Sequence, residues 1–265
     1  MRRARTFVAL ALVLLGVATV AHAELPSGIS RPDSERGLSQ QELGAQLFAG
    51  NCATCHGIAG EGVLPPNRTR GAGNVRGLGP PLKGVGALAA DFYLTTGFMP
   101  LQDPEQQPWR RRVEFTPKEI AAITQYVASL GPGPSIPRPD PSAGSVSVGF
   151  HLFTEHCAGC HQAVAEGGYV TNVRVPKLKQ DTATQIAEAV RIGPNLMPVF
   201  SKHDISDRQL NSIIAYIESV KHPNDRGGWG IGHIGPVPEG MFTWLVAAAA
   251  LVALCVLIGE RLGKA

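Results

Sequence analysis

A five-residue pattern, C-x-x-C-H, occurs twice in the chain and restricts its fold more than any other feature. Its members are Cys52, Cys55 and His56 in the first copy and Cys157, Cys160 and His161 in the second, which starts 105 residues later. Cys255 is the only cysteine outside the two copies. A two-residue gap lets both thiols reach one porphyrin, and the histidine that follows can lie beneath the iron. The pattern therefore predicts a covalently bound c-type haem at each copy.

Three other uses of paired cysteines fit the sequence less well. A disulfide framework gives no reason for a histidine after each pair. A zinc site needs four ligands at close spacing, and the two copies lie too far apart in the sequence. A thioredoxin-like pair expects a neighbouring βαβ pattern, and the sequence contains no strand-rich run. Haem attachment is the interpretation that accounts for both histidines.

Length and composition suit two small domains rather than one large one. The 265 residues include 31 Gly and 21 Pro, and aromatic residues make up only 6 %, which favours loop-rich domains built around a cofactor. The net charge is +3, but residues 1–23 contain three arginines and the rest carries 21 basic and 21 acidic side chains. Since nucleic-acid binding needs a basic stripe, no nucleic-acid partner is expected.

Two apolar segments predict export and membrane attachment. Residues 1–23 combine an arginine-rich start, 14 apolar residues and an Ala-x-Ala end, which is typical of a cleaved signal peptide and too short to span a bilayer. Residues 241–259 form an uncharged apolar run of 19 residues, long enough for a single-pass transmembrane helix. The basic tail, residues 260–265, favours a cytoplasmic C-terminus. The domains before it are therefore expected on the extracytoplasmic side.

Between these ends, the sequence predicts two similar helical domains. The expected order is a loose lead-in over residues 24–40, domain one over 41–131, a spacer over 132–145, domain two over 146–222 and a linker over 223–240. The spacer is rich in proline and therefore semi-rigid. Each domain carries a G-x-x-L-F motif at the same offset before its first haem cysteine, and Tyr126 and Tyr216 occupy equivalent places in the closing helices. Such a repeat indicates duplicated all-α modules.

Local signals mark the closing helix of each domain. Thr116 is expected to cap the helix of domain one, with Pro117 at its first position and Glu119 completing a capping box. This helix should run to Leu130. In domain two, Ser206 is expected to cap the equivalent helix.

Two methionines are candidates for the second axial ligand of each iron. A proximal histidine leaves the opposite face of the iron open, and Met or His closes it in electron-transfer cytochromes. Of the four methionines, Met1 lies in the signal and Met241 starts the apolar run. The other two, Met99 and Met197, fall one per domain, and each precedes a proline. Filling a gap in the core is the alternative role for these side chains.

A histidine competes with one of these methionines. His203 lies close to Met197 in sequence and is the rival ligand in domain two. Domain one offers no rival histidine, and His156 directly precedes a haem cysteine, where ligation is implausible.

Two prolines are candidates for orienting the proximal histidines. A ligating imidazole usually donates its other N–H to a carbonyl group. Pro80 and Pro176 share a P-x-L pattern between haem motif and methionine. Their carbonyl groups are the expected acceptors, although both could be ordinary loop prolines.

These motifs resemble a known family. The tandem order C-x-x-C-H, P-x-L, M-P, with a leading signal, a C-terminal apolar run and the segment G-P-V-P-E-G-M at residues 235–241, is similar to the dihaem cytochrome cc subunit of actinobacterial cytochrome bc complexes. The resemblance implies two class-I cytochrome c domains, two haem c groups, and ligation by His56, Met99, His161 and Met197. The residues 109–112, Trp-Arg-Arg-Arg, depart from the family pattern.

The resemblance also implies a function and partners. In that family the subunit belongs to a quinol–cytochrome c reductase, beside a cytochrome b subunit and a Rieske iron–sulfur protein. It takes electrons from the Rieske protein and passes them to the copper subunit of a haem-copper oxidase, without other chemistry of its own. Two alternatives stay open: a dihaem electron-transfer subunit of another membrane dehydrogenase, and a dihaem peroxidase, which would need a releasable sixth ligand.

Overall fold

The computed structural model describes residues 28–63, 79–101, 109–170, 173–221 and 236–263. In chain order the helices are α1 (Gln40–Asn51), α2 (Ala53–His56), α3 (Gly86–Thr95), α4 (Pro117–Ser129), α5 (Val146–His156), α6 (Ala158–His161), α7 (Ala183–Ile192), α8 (Asp207–Lys221) and α9 (Pro236–Leu262). The predicted signal peptide and most of the predicted linker over 223–240 lie outside the described residues.

The fold is mostly helical, in agreement with the prediction, and it also contains one pair of short strands that the sequence did not indicate. Strands β1 (Gly168–Val170) and β2 (Val173–Val175) form an antiparallel hairpin in which Tyr169 pairs with Arg174. An isolated bridge joins Val63 to Gly79 at the corresponding place in the first half of the chain. Strands of three residues are too short to give an alternating pattern, which is why the sequence did not indicate them.

The chain divides into two compact units. Unit one contains the described residues up to Arg138 together with the segment Ala187–Phe200. Unit two contains Pro139–Ile186 and the described residues from Ser201 onward. The division at Arg138 falls within the predicted spacer, whereas the segment Ala187–Phe200 belongs to domain two as predicted from the sequence.

In unit one, helices α1 and α4 pack at a glycine. A Cβ atom at Gly44 would collide with the carbonyl oxygen of Ala122, so the two backbones approach more closely than any larger residue allows. Next to this crossing, the rings of Phe48 and Tyr126 lie 5.0 Å apart. Leu47 of α1 is fully buried in the same core. The glycine, leucine and phenylalanine of the G-x-x-L-F motif therefore all serve one helix–helix contact.

Unit two repeats this contact between α5 and α8. A Cβ atom at Gly149 would collide with the carbonyl oxygen of Ser212, and the rings of Phe153 and Tyr216 lie 5.3 Å apart. The hydroxyl of Tyr216 also donates to the carbonyl oxygen of Ala163, just after the second haem motif. The repeat of G-x-x-L-F and of the tyrosine thus has the same physical cause in both units.

The predicted cap of α4 is present. Thr116 accepts from the Glu119 N–H while the Glu119 carboxylate accepts from the Thr116 N–H, with Pro117 at the first position. The helix ends at Ser129, one residue before the predicted Leu130. In α8, which begins one residue after Ser206, the side chain of that serine is likewise positioned as the cap.

Residues 29–31 of the lead-in are docked, in contrast with the prediction of a loose segment. The Arg31 Nε lies 2.6 Å from Oε1 of Glu119, a residue that is almost fully buried. Ser30 exchanges two hydrogen bonds of 2.8 Å with the side chain of Asn51, at the end of α1. Ile29 packs against the core of unit one. These contacts join residues far apart in sequence, so local patterns do not reveal them.

Helix α9 has the dimensions of a membrane span. Its stretch Gly240–Leu262 contains 23 residues with a mean hydropathy of 2.6, and its side chains are exposed. At 1.5 Å per residue, about 20 residues cross the hydrocarbon core of a bilayer. The predicted apolar run over 241–259 lies wholly inside this helix.

Helix α7 contains a buried carboxyl group, that of Glu188, in the segment assigned to unit one. Glu188 is 0 % exposed, and neither of its carboxyl oxygens has a hydrogen-bond partner of ordinary geometry among the described residues. Burial, followed by the charge of Asp91 in α3, raises the pKa of Glu188 to about 9. The side chain is therefore expected to hold a proton at neutral pH.

This shift predicts a dependence of stability on pH. In the unfolded chain the Glu188 carboxyl ionises near pH 4.5, whereas in the fold it keeps its proton to about pH 9. Folded protein thus binds more protons between these values, and the free energy of unfolding should fall as pH rises, by at most about 1.4 kcal/mol per pH unit. The variant Glu188→Gln should remove this dependence. Denaturant titrations should then show that the free energy of unfolding of the variant, relative to that of the wild type, increases between pH 5.5 and pH 8.

A matched control is Glu166→Gln. Ion pairing with Lys179 lowers the pKa of Glu166, so the charged form stabilises the fold above the ordinary pKa of the carboxyl group. This variant should be slightly less stable than the wild type at both pH values. An advantage of Glu188→Gln that stayed constant with pH would contradict the assignment.

Candidate haem-binding sites

The first site is built on one helical turn that follows α1 directly. Cys52 ends α1, and its carbonyl oxygen accepts from the N–H groups of Cys55, at 3.1 Å, and His56, at 2.9 Å. The turn therefore places both thiols and the imidazole on the same short element. Burial, with a smaller contribution from Cys55, raises the pKa of the Cys52 thiol to about 12. The two cysteines are not joined in a disulfide.

The second site repeats this turn after α5. The carbonyl oxygen of Cys157 accepts from Cys160 at 3.1 Å and from His161 at 2.9 Å. Burial, again with a smaller contribution from the neighbouring cysteine, raises the pKa of the Cys157 thiol to about 11. Cys157 and Cys160 are likewise not joined in a disulfide.

Each histidine faces the proline carbonyl that the sequence suggested. His56 Nδ1 lies 2.8 Å from the Pro80 oxygen, and His161 Nδ1 lies 3.2 Å from the Pro176 oxygen. A carbonyl oxygen can only accept, so Nδ1 must carry the hydrogen in both rings. The other nitrogen, Nε2, is then left with its lone pair, which is the tautomer that a metal ligand requires.

The histidines are also held neutral. Burial lowers the pKa of His56, against the opposing effect of its hydrogen bond to Pro80. Burial lowers the pKa of His161 in the same way, against the bond to Pro176. A neutral imidazole is the form that ligates iron.

In each site, a hydrogen bond from a glycine N–H to the carbonyl of the histidine holds the loop that follows the haem turn. The sequence did not reveal this loop. The N–H of Gly62 donates to the carbonyl of His56 at 2.7 Å, and the N–H of Gly167 donates to the carbonyl of His161 at 3.0 Å. Both glycines have positive φ, 82° and 68°, which other residues rarely adopt. A Cβ atom at Gly167 would also collide with the oxygen of Val175. A glycine six residues after each histidine was the signal that could have revealed this loop.

The leucine of each P-x-L pattern fastens the proline to this loop. The Leu82 N–H donates to the carbonyl of Gly60 at 2.8 Å, and the Leu178 N–H donates to the carbonyl of Ala165 at 3.0 Å. The segment bearing the proline is thereby fixed two residues beyond the carbonyl that meets the imidazole. Any residue except proline could make this bond, so it explains the spacing of the pattern but not the choice of leucine.

The two methionines lie on turns of their own. The Met99 N–H donates to the carbonyl of Tyr93 at 3.0 Å, and its side chain packs against the core of unit one. The Met197 N–H donates to the carbonyl of Pro194 at 3.0 Å, in the segment Ala187–Phe200. Both side chains are half-buried. Their ligation of iron stays a prediction.

The rival ligand His203 is at the surface. Its side chain is 99 % exposed and its Nδ1 lies 3.9 Å from Asp204 Oδ1. A ring that is fully exposed to water is poorly placed to close one face of a buried iron. The position of His203 therefore favours Met197 over it.

The donor set of each site fits haem c. Two thiols and a neutral imidazole share one turn, and a carbonyl group fixes the ring, which are the features that define a c-type cytochrome. In agreement, residues 41–131 match the family model for cytochrome c, and residues 144–217 match the model for subunit III of cbb3-type cytochrome c oxidase. Cytochrome c domains imply covalently bound haem c.

Curated relatives identify the family more narrowly. The chain is 33 % identical to the cytochrome bc1 complex cytochrome c subunit of Corynebacterium diphtheriae, over 98 % of this chain and 95 % of the relative. It is 35 % identical to the subunit of the same name from Mycobacterium tuberculosis, over 82 % and 77 % of the two chains. A cbb3-type oxidase subunit CcoP from Azospirillum is 28 % identical over 67 % of this chain and 61 % of the relative. The chain belongs to the family of actinobacterial cytochrome bc1 complex cytochrome c subunits, which confirms the resemblance.

Membership in this family has direct consequences. It gives the chain a role in electron transport as a cytochrome c subunit of a bc complex, among the other subunits of that complex. Together with the apolar helix α9 it also indicates anchoring in a membrane.

Proposed function

We propose that the chain holds two haem c groups and carries electrons from a Rieske iron–sulfur protein to the copper subunit of a haem-copper oxidase. The observation that supports it best is that the same three hydrogen bonds occur in both sites. The imidazole donates to a proline carbonyl, a glycine N–H donates to the histidine carbonyl, and a leucine N–H donates to a carbonyl of the loop. A bound haem c supplies a one-electron Fe(III)/Fe(II) couple. In this proposal the chain performs electron transfer only, as a subunit of a quinol–cytochrome c reductase.

The side chains have separate tasks at each site. Cys52 and Cys55 hold one haem through thioethers, and Cys157 and Cys160 hold the other. His56 and His161 ligate the irons through Nε2, while Pro80 and Pro176 fix the rings by accepting from Nδ1. Met99 and Met197 would supply the second ligand to each iron, and methionine ligation would raise the potential of the haem.

The membrane helix explains how a carrier can work without diffusing away. Helix α9 would hold both haem domains on the extracytoplasmic side, next to the cytochrome b and Rieske subunits. A tethered carrier acts on its neighbours at high effective concentration. In this arrangement domain one faces the Rieske protein and domain two faces the oxidase.

Replacement of one cysteine pair should remove one haem and leave the other. We expect the Cys52→Ala/Cys55→Ala variant and the Cys157→Ala/Cys160→Ala variant each to retain one haem per chain, against two in the wild type, because each pair forms the thioethers of its own site. The measurement is the haem-to-protein ratio after acid–acetone extraction. Cys255→Ala is the matched control and should keep two haems. Haem that extracted freely from the wild type would refute covalent attachment.

Removal of either methionine should open one iron. Met99→Ala and Met197→Ala should each bind one equivalent of carbon monoxide when reduced, whereas the wild type and the control variant Met241→Ala should bind none. Visible difference spectra give the stoichiometry. Carbon monoxide binding by the wild type would instead favour the peroxidase alternative. Failure of Met197→Ala to bind it would show that another group ligates the second iron.

Loss of the membrane helix should slow electron transfer through the carrier. Deletion of residues 241–265 should release a red soluble protein and slow quinol-dependent oxygen uptake by membranes. In a control, an unrelated transmembrane helix of equal length should restore that uptake.

The full chain should co-purify in mild detergent with a b-type cytochrome, an iron–sulfur subunit and oxidase subunits. Normal respiration by the truncated strain would leave only a generic dihaem carrier.

A further inference from the structure

We infer that Arg191 is a positioning residue for the second haem site: its guanidinium group closes the loop that carries Met197 and so holds the methionine in place for iron. The inference rests on the proposed ligation of the second iron by Met197. It concerns contacts within the segment Ala187–Phe200 alone. In the first site a tyrosine, Tyr93, stands six residues before the methionine, where the second site has Arg191. The effect is therefore expected at one haem only.

Two hydrogen bonds close the loop at its base, next to the end of α7. The Phe200 N–H donates to the carbonyl of Val190 at 3.0 Å. The Arg191 Nη1 donates to the carbonyl of Phe200, also at 3.0 Å. Both bonds join the residue that ends the loop to residues of the helix that precedes it. The chain from Gly193 to Val199 is thereby held as a closed loop.

A tight turn inside the loop fixes the backbone of the methionine. Gly193 has a φ of 63°, and a Cβ atom there would collide with the carbonyl oxygen of Met197. Asn195 also has a positive φ, 57°, which asparagine tolerates better than most residues. The Met197 N–H donates to the carbonyl of Pro194 at 3.0 Å. The methionine therefore has a defined position relative to the start of the loop.

The polypeptide covers little of the outside of this loop. Leu196 and Val199, on either side of Met197, are 63 % and 62 % exposed. Burial against other parts of the chain therefore contributes little to the shape of the loop, and the hydrogen bonds at its base contribute more. Arg191 is half-buried, so water screens its bond only in part.

The first site holds its methionine by other means. The residue before Met99 is Phe98, which is only 7 % exposed, and its ring lies 5.6 Å from that of Phe92. Tyr93 accepts the Met99 N–H at 3.0 Å through its backbone carbonyl rather than its side chain. Core packing and a backbone bond thus hold the first methionine, whereas the side chain of Arg191 helps to hold the second.

A loop that is closed in advance strengthens the bond between its methionine and iron. A ligand that is already in place loses less conformational entropy when it binds. Displacement of Met197 by another ligand moves the loop, and the contacts at its base oppose that movement. Loss of the Arg191 bond should therefore help an external ligand to displace Met197, although every ligand of the iron is still present.

A titration of the oxidised full-length holoprotein with imidazole tests this role. Imidazole competes with methionine for ferric haem, and the charge-transfer band of methionine-ligated ferric haem disappears as imidazole binds. In Arg191→Gln we expect one of the two haems to bind imidazole about tenfold more tightly than in the wild type, which is the order of one hydrogen bond from a charged donor. The other haem should bind it as in the wild type.

Three comparisons assign the effect. In the Cys157→Ala/Cys160→Ala background, which should keep only the first haem, Arg191→Gln should leave the imidazole affinity unchanged. Arg191→Lys keeps a charged donor and should bind imidazole no more than about threefold more tightly than the wild type. Arg208→Gln removes an exposed arginine of α8 and is the matched control, which should behave as the wild type does.

Three results would overturn the inference: an unchanged imidazole affinity in Arg191→Gln, an equal gain at both haems, or an Arg191→Lys protein that binds imidazole as tightly as Arg191→Gln. A wild type with fewer than two haems, or without the methionine band, would instead refute the proposed function before any variant is compared.

Discussion

The hydrogen bond between each proximal histidine and a proline carbonyl is the contact on which both sites depend. It fixes the tautomer, and through it the nitrogen that is free to meet a metal. The same bond holds the segment that follows the haem turn against the imidazole ring. The distance from Nδ1 to the proline oxygen is 2.8 Å in one unit and 3.2 Å in the other. Glycines with positive φ make that return possible. Helices α1 and α5 place the haem turns next to this loop.

The features that could be predicted are those fixed by nearby residues. The cap formed by Thr116 and Glu119 involves a single turn of helix, and the G-x-x-L-F repeat reports a glycine at a helix crossing. The haem turns follow from five residues each. The hairpin of β1 and β2 was missed because strands of three residues carry no periodic signal. The raised pKa of Glu188 was missed because it depends on burial by distant parts of the chain.

The two units share a framework but differ in some of the residues around it. Gly44 and Gly149 hold the same crossing, and Leu82 and Leu178 make equivalent hydrogen bonds. Gly44 and Gly149 tolerate little change, because a Cβ atom would collide with a carbonyl oxygen, whereas Leu82 and Leu178 could be replaced by any residue that keeps the backbone N–H. The residue after each proline faces no such restriction. Accordingly it is Pro81 in one unit and Lys177 in the other.

The docked lead-in changes where the first domain begins. Arg31 supplies the cation for Glu119, which is almost fully buried and also caps α4. A carboxylate left there without its guanidinium group would be a buried, uncompensated charge, which is strongly destabilising. The folding unit thus starts well before the first helix. A domain cut at the first residue of α1 would therefore lose the cation that Glu119 needs.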